Sequence, residues 1–286
     1  MGDPIAPVVP SEVHLYEDPS SRSLRLQEIA SYLREKLGKL RVDVRKSLLS
    51  ANSPELEEIL ARRMAEARVR DLTCPEPQLE PLPLEIEFER KLLRNPSLRM
   101  TGVLYDGFKL QALLWELLPT EERNLEHVHI AFTGRLFGTV DEGDIRYHAR
   151  VSIYGFPSLI STTGIVEAPA KPREFYLLKQ QYAALKAGVP IEALKEKFKG
   201  RFIDYDDERL TEVMKGYAMQ AIFYHVFGEP FCKEVNCRLF NSHWQEEVIK
   251  SQLEPKEREF CERHGEMLSW LKQALWTTHH HTSDAK

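Results

Sequence analysis

The sequence predicts an α+β fold on three observations: a strand, helix, strand opening over residues 13–45, a run of strand-like segments in the middle, and a long apolar helix ending at Gly228. VHLYED, near residue 13, alternates apolar and polar side chains, and SSRSLRLQEIASYLREKLGKL repeats its leucines, Ile29 and Tyr32 at helical spacing. LRVDVR alternates again, and a crossover of this length suits a parallel pair at one edge of a sheet. Residues 53–70 open with Ser53-Pro54 and acidic residues in the first turn, which is how helices start. The Pro-rich stretch from Cys74 to Pro83 reads as an extended surface connection.

Another helix is expected over GVLYDGFKLQALLWELL. Strands follow in HVHIAFTG, RYHARVSIYG and LISTTGIVE, with Gly-containing turns between them. Lys171-Pro172 leads into REFYLLKQQYAALKAG, and a short helix is expected near IEALKEKF. In DERLTEVMKGYAMQAIFYHVFG, Leu210, Met214, Tyr217, Ala218, Ala221 and Ile222 share one stripe, and Gly228 and Pro230 stop the helix. No internal repeat or low-complexity segment divides the chain, so residues 1–286 are expected to form one domain.

With 286 residues, 42% of them hydrophobic, the chain can bury a real core. Its net charge of -5 lies in mixed short runs such as EPKERE and DYDDER, which are solvated faces rather than a field for a polyanion, so nucleic acid is not an expected partner. MGDPIAPVVP lacks the pattern of an export signal, no window approaches the roughly 18 apolar residues of a spanning helix, and Ala6 stands where myristoylation wants Ser or Thr. The expectation is a cytoplasmic protein without membrane attachment. The terminal HHHTSDAK is expected to be a disordered end.

Four cysteines without an export signal favour metal binding over disulfides. Three of them form C-x4-C (Cys232, Cys237) and, after an intervening segment, C-x2-H (Cys261, His264). Two close pairs of thiolate or imidazole donors are what a structural zinc wants, since each pair clamps the ion from one loop. The chain is therefore expected to carry one structural zinc, which would stabilise residues 229–270. His243 competes for the fourth position, Cys74 is a bystander, and buried free thiols are the plain alternative.

AIFYHVFGEPFCKEVNCRLFNS resembles, without a gap, the helix motif of the archaemetzincins, zinc metallopeptidases with H-E-x-x-H-x-x-G-x-x-H-C followed by C-x4-C-x-M. His225 falls on the second histidine, Gly228 on the glycine, and Cys232 and Cys237 on the two cysteines; Cys261 also matches. The opening strand, helix, strand unit and HVHIAFTGRLFGTVDEGD resemble the same family, which includes archaeal proteins of unknown function described as metallopeptidases. The resemblance implies a zincin-like mixed sheet and a second zinc on four cysteines, here with His264 replacing one.

The catalytic half departs from the pattern. Ala221 stands at the first histidine, Ile222 at the general-base glutamate, Phe231 at the third histidine and Leu239 at the methionine. A zincin helix binds its metal through histidines at i and i+4, and the glutamate activates the water. His225 is the only remnant, and losing the base alone removes a factor of about 10²–10⁴ in rate. The resemblance thus implies a non-catalytic binding or regulatory protein with an unidentified peptide or protein ligand. The alternative is a metal-dependent peptidase or hydrolase with a rearranged site that uses His225, His148 and Glu167. In a zincin-like fold TVDEGDIRYHARVSIYGFPSLISTTGIVEAPAKPREFY would hold the edge strand and cleft loops, so Arg146, His148, Glu167 and Arg173 are candidate ligand contacts. They could equally make salt bridges and turn contacts at strand edges.

Overall fold

The computed structural model describes residues 8–73, 80–185, 188 and 190–283. Strand β1 (Glu12–Tyr16), helix α1 (Leu26–Leu37) and strand β2 (Arg41–Arg45) form the expected opening, with β2 parallel to β1 at the sheet edge and Val13 opposite Val42. Helix α2 (Pro54–Glu66) starts as its sequence directs: the Ser53 side chain accepts from Leu56 N at 3.2 Å, a cap that contributes about 1 kcal/mol. Helix α3 (Pro83–Arg94) was not expected; Pro83 opens it and the Glu85 carboxylate reaches back to Leu82 N. Cys74 and most of the Pro-rich stretch lie outside the described residues.

The segment read as one helix from residue 102 divides into strand β3 (Leu104–Asp106) and helix α4 (Gly107–Glu116), because Asp106 caps the helix at Phe108 N and Lys109 N. Strands β4 (His127–Thr133), β5 (Leu136–Val140), β6 (Tyr147–Arg150), β7 (Ser152–Ile153) and β8 (Ser158–Ser161) follow. The main sheet runs β2-β1-β4-β8-β7, parallel except for β7 at its edge, and a second sheet runs β3-β5-β6. This mixed sheet with helices is the predicted fold class.

Helices α5 (Gly164–Glu167), α6 (Arg173–Ala184), α7 (Ile191–Lys197), α8 (Leu210–Phe227), α9 (Gln245–Gln252) and α10 (Glu262–Ser283) complete the chain. Period-2 burial divides the main sheet's faces. Val13, Leu15, Val42, Val128, Ile130 and Phe132 join the core formed with α1, α8 and α10. Tyr16, Ala131 and Leu159 join a second core with α2 and α4. Helix α8 is buried on nearly every side rather than along one stripe, because it lies between sheet, α1 and α9. The tail histidines extend α10, whose backbone is helical to Ser283, so the expected disorder does not begin at His279. Among the described residues no helix is long and apolar enough to cross a membrane.

Candidate metal centre and groove

Gly228 ends α8 in the left-handed conformation at φ 72°, its N–H donating to Tyr224 O at 2.8 Å; the conformation suits glycine because no Cβ meets the following carbonyl. The chain reverses there. Cys232 N then donates to Leu239 O at 2.8 Å, and Cys237 N donates to Glu234 O at 2.9 Å in the turn between the two cysteines. Glu234 N also donates to Cys232 Sγ at 3.3 Å, which fixes the direction of that side chain. Cys261 and His264 sit at the start of α10, and Arg238 N donates to Glu259 O at 2.9 Å to bring the two segments together. The Arg238 guanidinium, almost wholly buried, bridges the carboxylates of Glu212 on α8 and Glu259, and Tyr32 OH on α1 donates to Glu259 at 2.5 Å.

These contacts converge Cys232, Cys237, Cys261 and His264 so that one ligand atom of each lies within 4.8 Å of all the others. Around a tetrahedral ion with Zn–S near 2.3 Å and Zn–N near 2.0–2.1 Å, sulfur pairs stand about 3.8 Å apart and sulfur–nitrogen pairs about 3.5 Å. Cys232 Sγ to Cys261 Sγ is 3.8 Å and Cys237 Sγ to His264 Nδ1 is 3.7 Å. Cys261 Sγ to His264 Nδ1 is 3.0 Å, the spacing of a hydrogen bond that an entering ion would open by about half an ångström. The residues fit a metal. Burial pushes the Cys237 thiol up to about 12 and the Cys261 thiol upward, so stable thiolates here need a cation between them. Burial, and then the charge of Arg263, hold His264 below its ordinary range, in the neutral form a metal requires. Its Nε2 is buried with no hydrogen-bond partner among the described residues, and Phe223 packs edge-on 5.5 Å away. His243, the competitor for the fourth position, is exposed and borders a groove instead.

That groove, of about 470 Å³, runs between edge strands β6 and β7, the exposed side of α8 and the loop carrying Phe231 and Phe240. Its floor is closed where Tyr154 OH donates to Gln220 Oε1 at 2.5 Å, with the rings of Tyr224 and Phe231 at 6.1 and 5.7 Å from Tyr154. Tyr154 carries no signal in the sequence, and Gln220 and Tyr224 are marked only by their i, i+4 placement on α8.

The positions that the motif assigns to a catalytic metal are differently placed. Ala221 and Ile222 are fully buried in the core, while Phe231 is partly exposed on the groove wall. His225 Nε2 donates to Leu125 O at 2.9 Å, and burial lowers its basicity. His148 Nε2 is paired with Asp144 at 2.7 Å, Glu167 accepts from Tyr205 OH at 2.7 Å, Arg173 stacks over Trp244 and Arg146 is exposed. These four border the groove nowhere, since each is drawn to a local partner or to solvent; their chain neighbours Ala149, Arg150, Ala168 and Pro169 line it. His225, His148 and Glu167 do not come together as a metal set. A catalytic zinc held in the motif's manner does not fit these residues.

The structure defines a mixed α/β protein with a candidate cysteine-histidine metal centre. The chain belongs to the family described as "Probable metallopeptidase family" (DUF6775), whose model matches residues 9–271. Among solved structures it is similar to archaemetzincin from Methanopyrus kandleri, at 14% identity and a TM-score of 0.45, with 93% of this chain and 97% of that one covered. No curated protein matches it.

Proposed function

We propose that this chain is a zinc-stabilised, non-hydrolytic member of its family, cytoplasmic, that binds an extended peptide or protein segment in the groove between β7 and α8. The observation that carries the proposal is the state of α8: Ala221 and Ile222 are sealed in the core, and the groove side presents Gln220 and Tyr224 locked to Tyr154. Among the described residues that line the groove, Asp141 is paired with Arg150 and His243 is the one imidazole, so no paired-imidazole metal set faces it. What remains suits recognition. Strand β7 ends the main sheet, so among the described residues one of its edges has no strand partner, and an added strand would gain main-chain hydrogen bonds while Phe231, Tyr224 and Phe240 offer apolar contacts. One zinc on Cys232, Cys237, Cys261 and His264 would hold the loop that forms the opposite wall.

Membership of a metallopeptidase family favours a second reading, a hydrolase with a rearranged metal site using His225. A mixed peptide library incubated with the zinc-loaded protein separates the two. The proposal expects retention of extended peptides without cleavage, with binding weakened by Phe231→Ala. Zinc-dependent cleavage that disappears in His225→Ala would refute it.

A further inference from the structure

Strand register builds a second cluster on the main sheet, from residues other than the cysteines. Glu12 on β1 lies opposite His127 on β4 and Arg41 on β2; two residues on, His14 lies opposite His129 and Asp43. Side chains two apart share a face, so three imidazoles and two carboxylates meet at this edge of the sheet. His14 is fully buried at their centre. Its Nδ1 donates to Asp43 Oδ1 at 2.8 Å, because a carboxylate can only accept, and in the neutral ring that a metal binds this leaves Nε2 with a lone pair. That lone pair faces His127 Nδ1 at 2.9 Å and Glu12 Oε2 at 3.9 Å. The ligand atoms of Glu12, His14 and His127 all lie within 4.8 Å of one another.

A second triad, His14, Glu122 and His129, meets the same distance limit, and its chemistry rules it out. His129 Nε2 donates to Glu122 O at 3.1 Å and its Nδ1 accepts from Tyr16 OH at 2.9 Å, so both ring nitrogens are used. Glu122 holds Arg45 through both oxygens at 2.6 and 2.9 Å. Glu12, by contrast, gives Arg41 one oxygen and turns the other toward His14.

We propose that Glu12, His14 and His127 form a binding site for a divalent transition-metal ion of the zinc class, with Asp43 fixing the His14 ring. Two imidazoles and a carboxylate are a sufficient zinc set, and a carboxylate on the far nitrogen of a ligating histidine is the usual outer support of such a site. An ion would replace the proton shared by His14 and His127 and move their nitrogens apart from 2.9 Å to about 3.3 Å. His127 is only partly buried, so its ring can make that adjustment. The site uses none of the cysteine ligands and does not rest on the groove.

Cobalt(II) titration of the full chain after chelation tests it, because thiolate-bound cobalt gives intense charge-transfer absorption and a nitrogen–oxygen site gives weak ligand-field bands alone. The wild type is expected to fill both sets. His127→Gln is expected to lose the weak set and keep the thiolate bands, with the melting temperature of the metal-free protein unchanged, and Asp43→Asn to bind the weak-set ion about 10–100-fold less tightly. Cys261→Ser is expected to do the reverse of His127→Gln. The tail histidines are common to all variants and cancel. A wild type that takes up only thiolate-bound cobalt, or a His127→Gln variant that binds as many ions as wild type, overturns the proposal. A wild type with the weak bands and no charge transfer would instead sink the cysteine site and leave this one standing.

Discussion

Replacing Cys261 by serine is the most direct perturbation of the cysteine centre. Cys261 is only partly buried, so the substitution removes a ligand without hiding a new hydroxyl in the core. The magnitude follows from what the ion ties together. Cys232 and Cys261 are 29 positions apart, and a cross-link closing a loop of that span restricts the unfolded chain by about 3.6 kcal/mol. At about 2–4 °C per kcal/mol for a chain of this size, the melting temperature should fall by about 7–14 °C. Wild-type protein stripped by chelator should fall by the same amount, and the variant should lose no more when chelator is added. Cys237→Ser should fall further, because Cys237 is fully buried and its hydroxyl adds an unsatisfied group costing about 1–3 kcal/mol. Zinc content by elemental analysis, with thermal unfolding followed by circular dichroism, reads both effects. A chelated wild type that melts unchanged, or a Cys261→Ser variant with full zinc content, would refute the reasoning.

Two further outcomes follow from the packing. Burial holds His225 below its ordinary value, so the unfolded chain takes up its proton first on acidification. The stability contributed by the neutral ring is full above the unfolded value of about 6.5 and is lost as pH falls below it. His225→Gln should therefore flatten the acid limb of a stability–pH profile, and a limb of unchanged slope would count against the assignment. In Gly164→Ala an added Cβ would stand 2.3 Å from the backbone oxygen of Arg150, which cannot rotate away. Overpacking of that kind costs about 1–3 kcal/mol, against about 1 kcal/mol gained from helix propensity, so urea unfolding should show a net loss; a more stable variant would show that α5 shifts freely against β6.

The parts legible in the sequence were those specified by neighbours along the chain. Cys232 with Cys237 and Cys261 with His264 are local pairs, and only a few residue types carry that chemistry. The cap at Ser53 and the stop at Gly228 were equally local. Helix α3 was hidden although its signals were present: Pro83 and the Glu85 side chain start it, but the prolines before it gave the whole stretch the look of a connection. The groove was illegible for a different reason. Helix α8 is apolar on nearly every side, so no stripe tells which residues face out, and Gln220 and Tyr224 acquire their role only from Tyr154, 66 positions from Gln220. His14 and His127 are 113 positions apart, and their meeting depends on strand register, which a one-residue slip would abolish.

The groove and the cysteine centre are not independent features. Phe231 borders the groove and the next residue, Cys232, turns into the metal centre; Phe240, on the same wall, is bridged to Cys232. Consecutive side chains of one extended segment point to opposite sides, so whatever fixes Cys232 also fixes the position of Phe231. Gly228 and Pro230 separate this segment from α8, and the helix alone therefore cannot hold it. An ion at the four ligands would supply that constraint even where the motif's catalytic ligands are replaced. Under the proposed function the metal's contribution to recognition would be mechanical: it would keep the aromatic wall at the distance from β7 that an added strand would need.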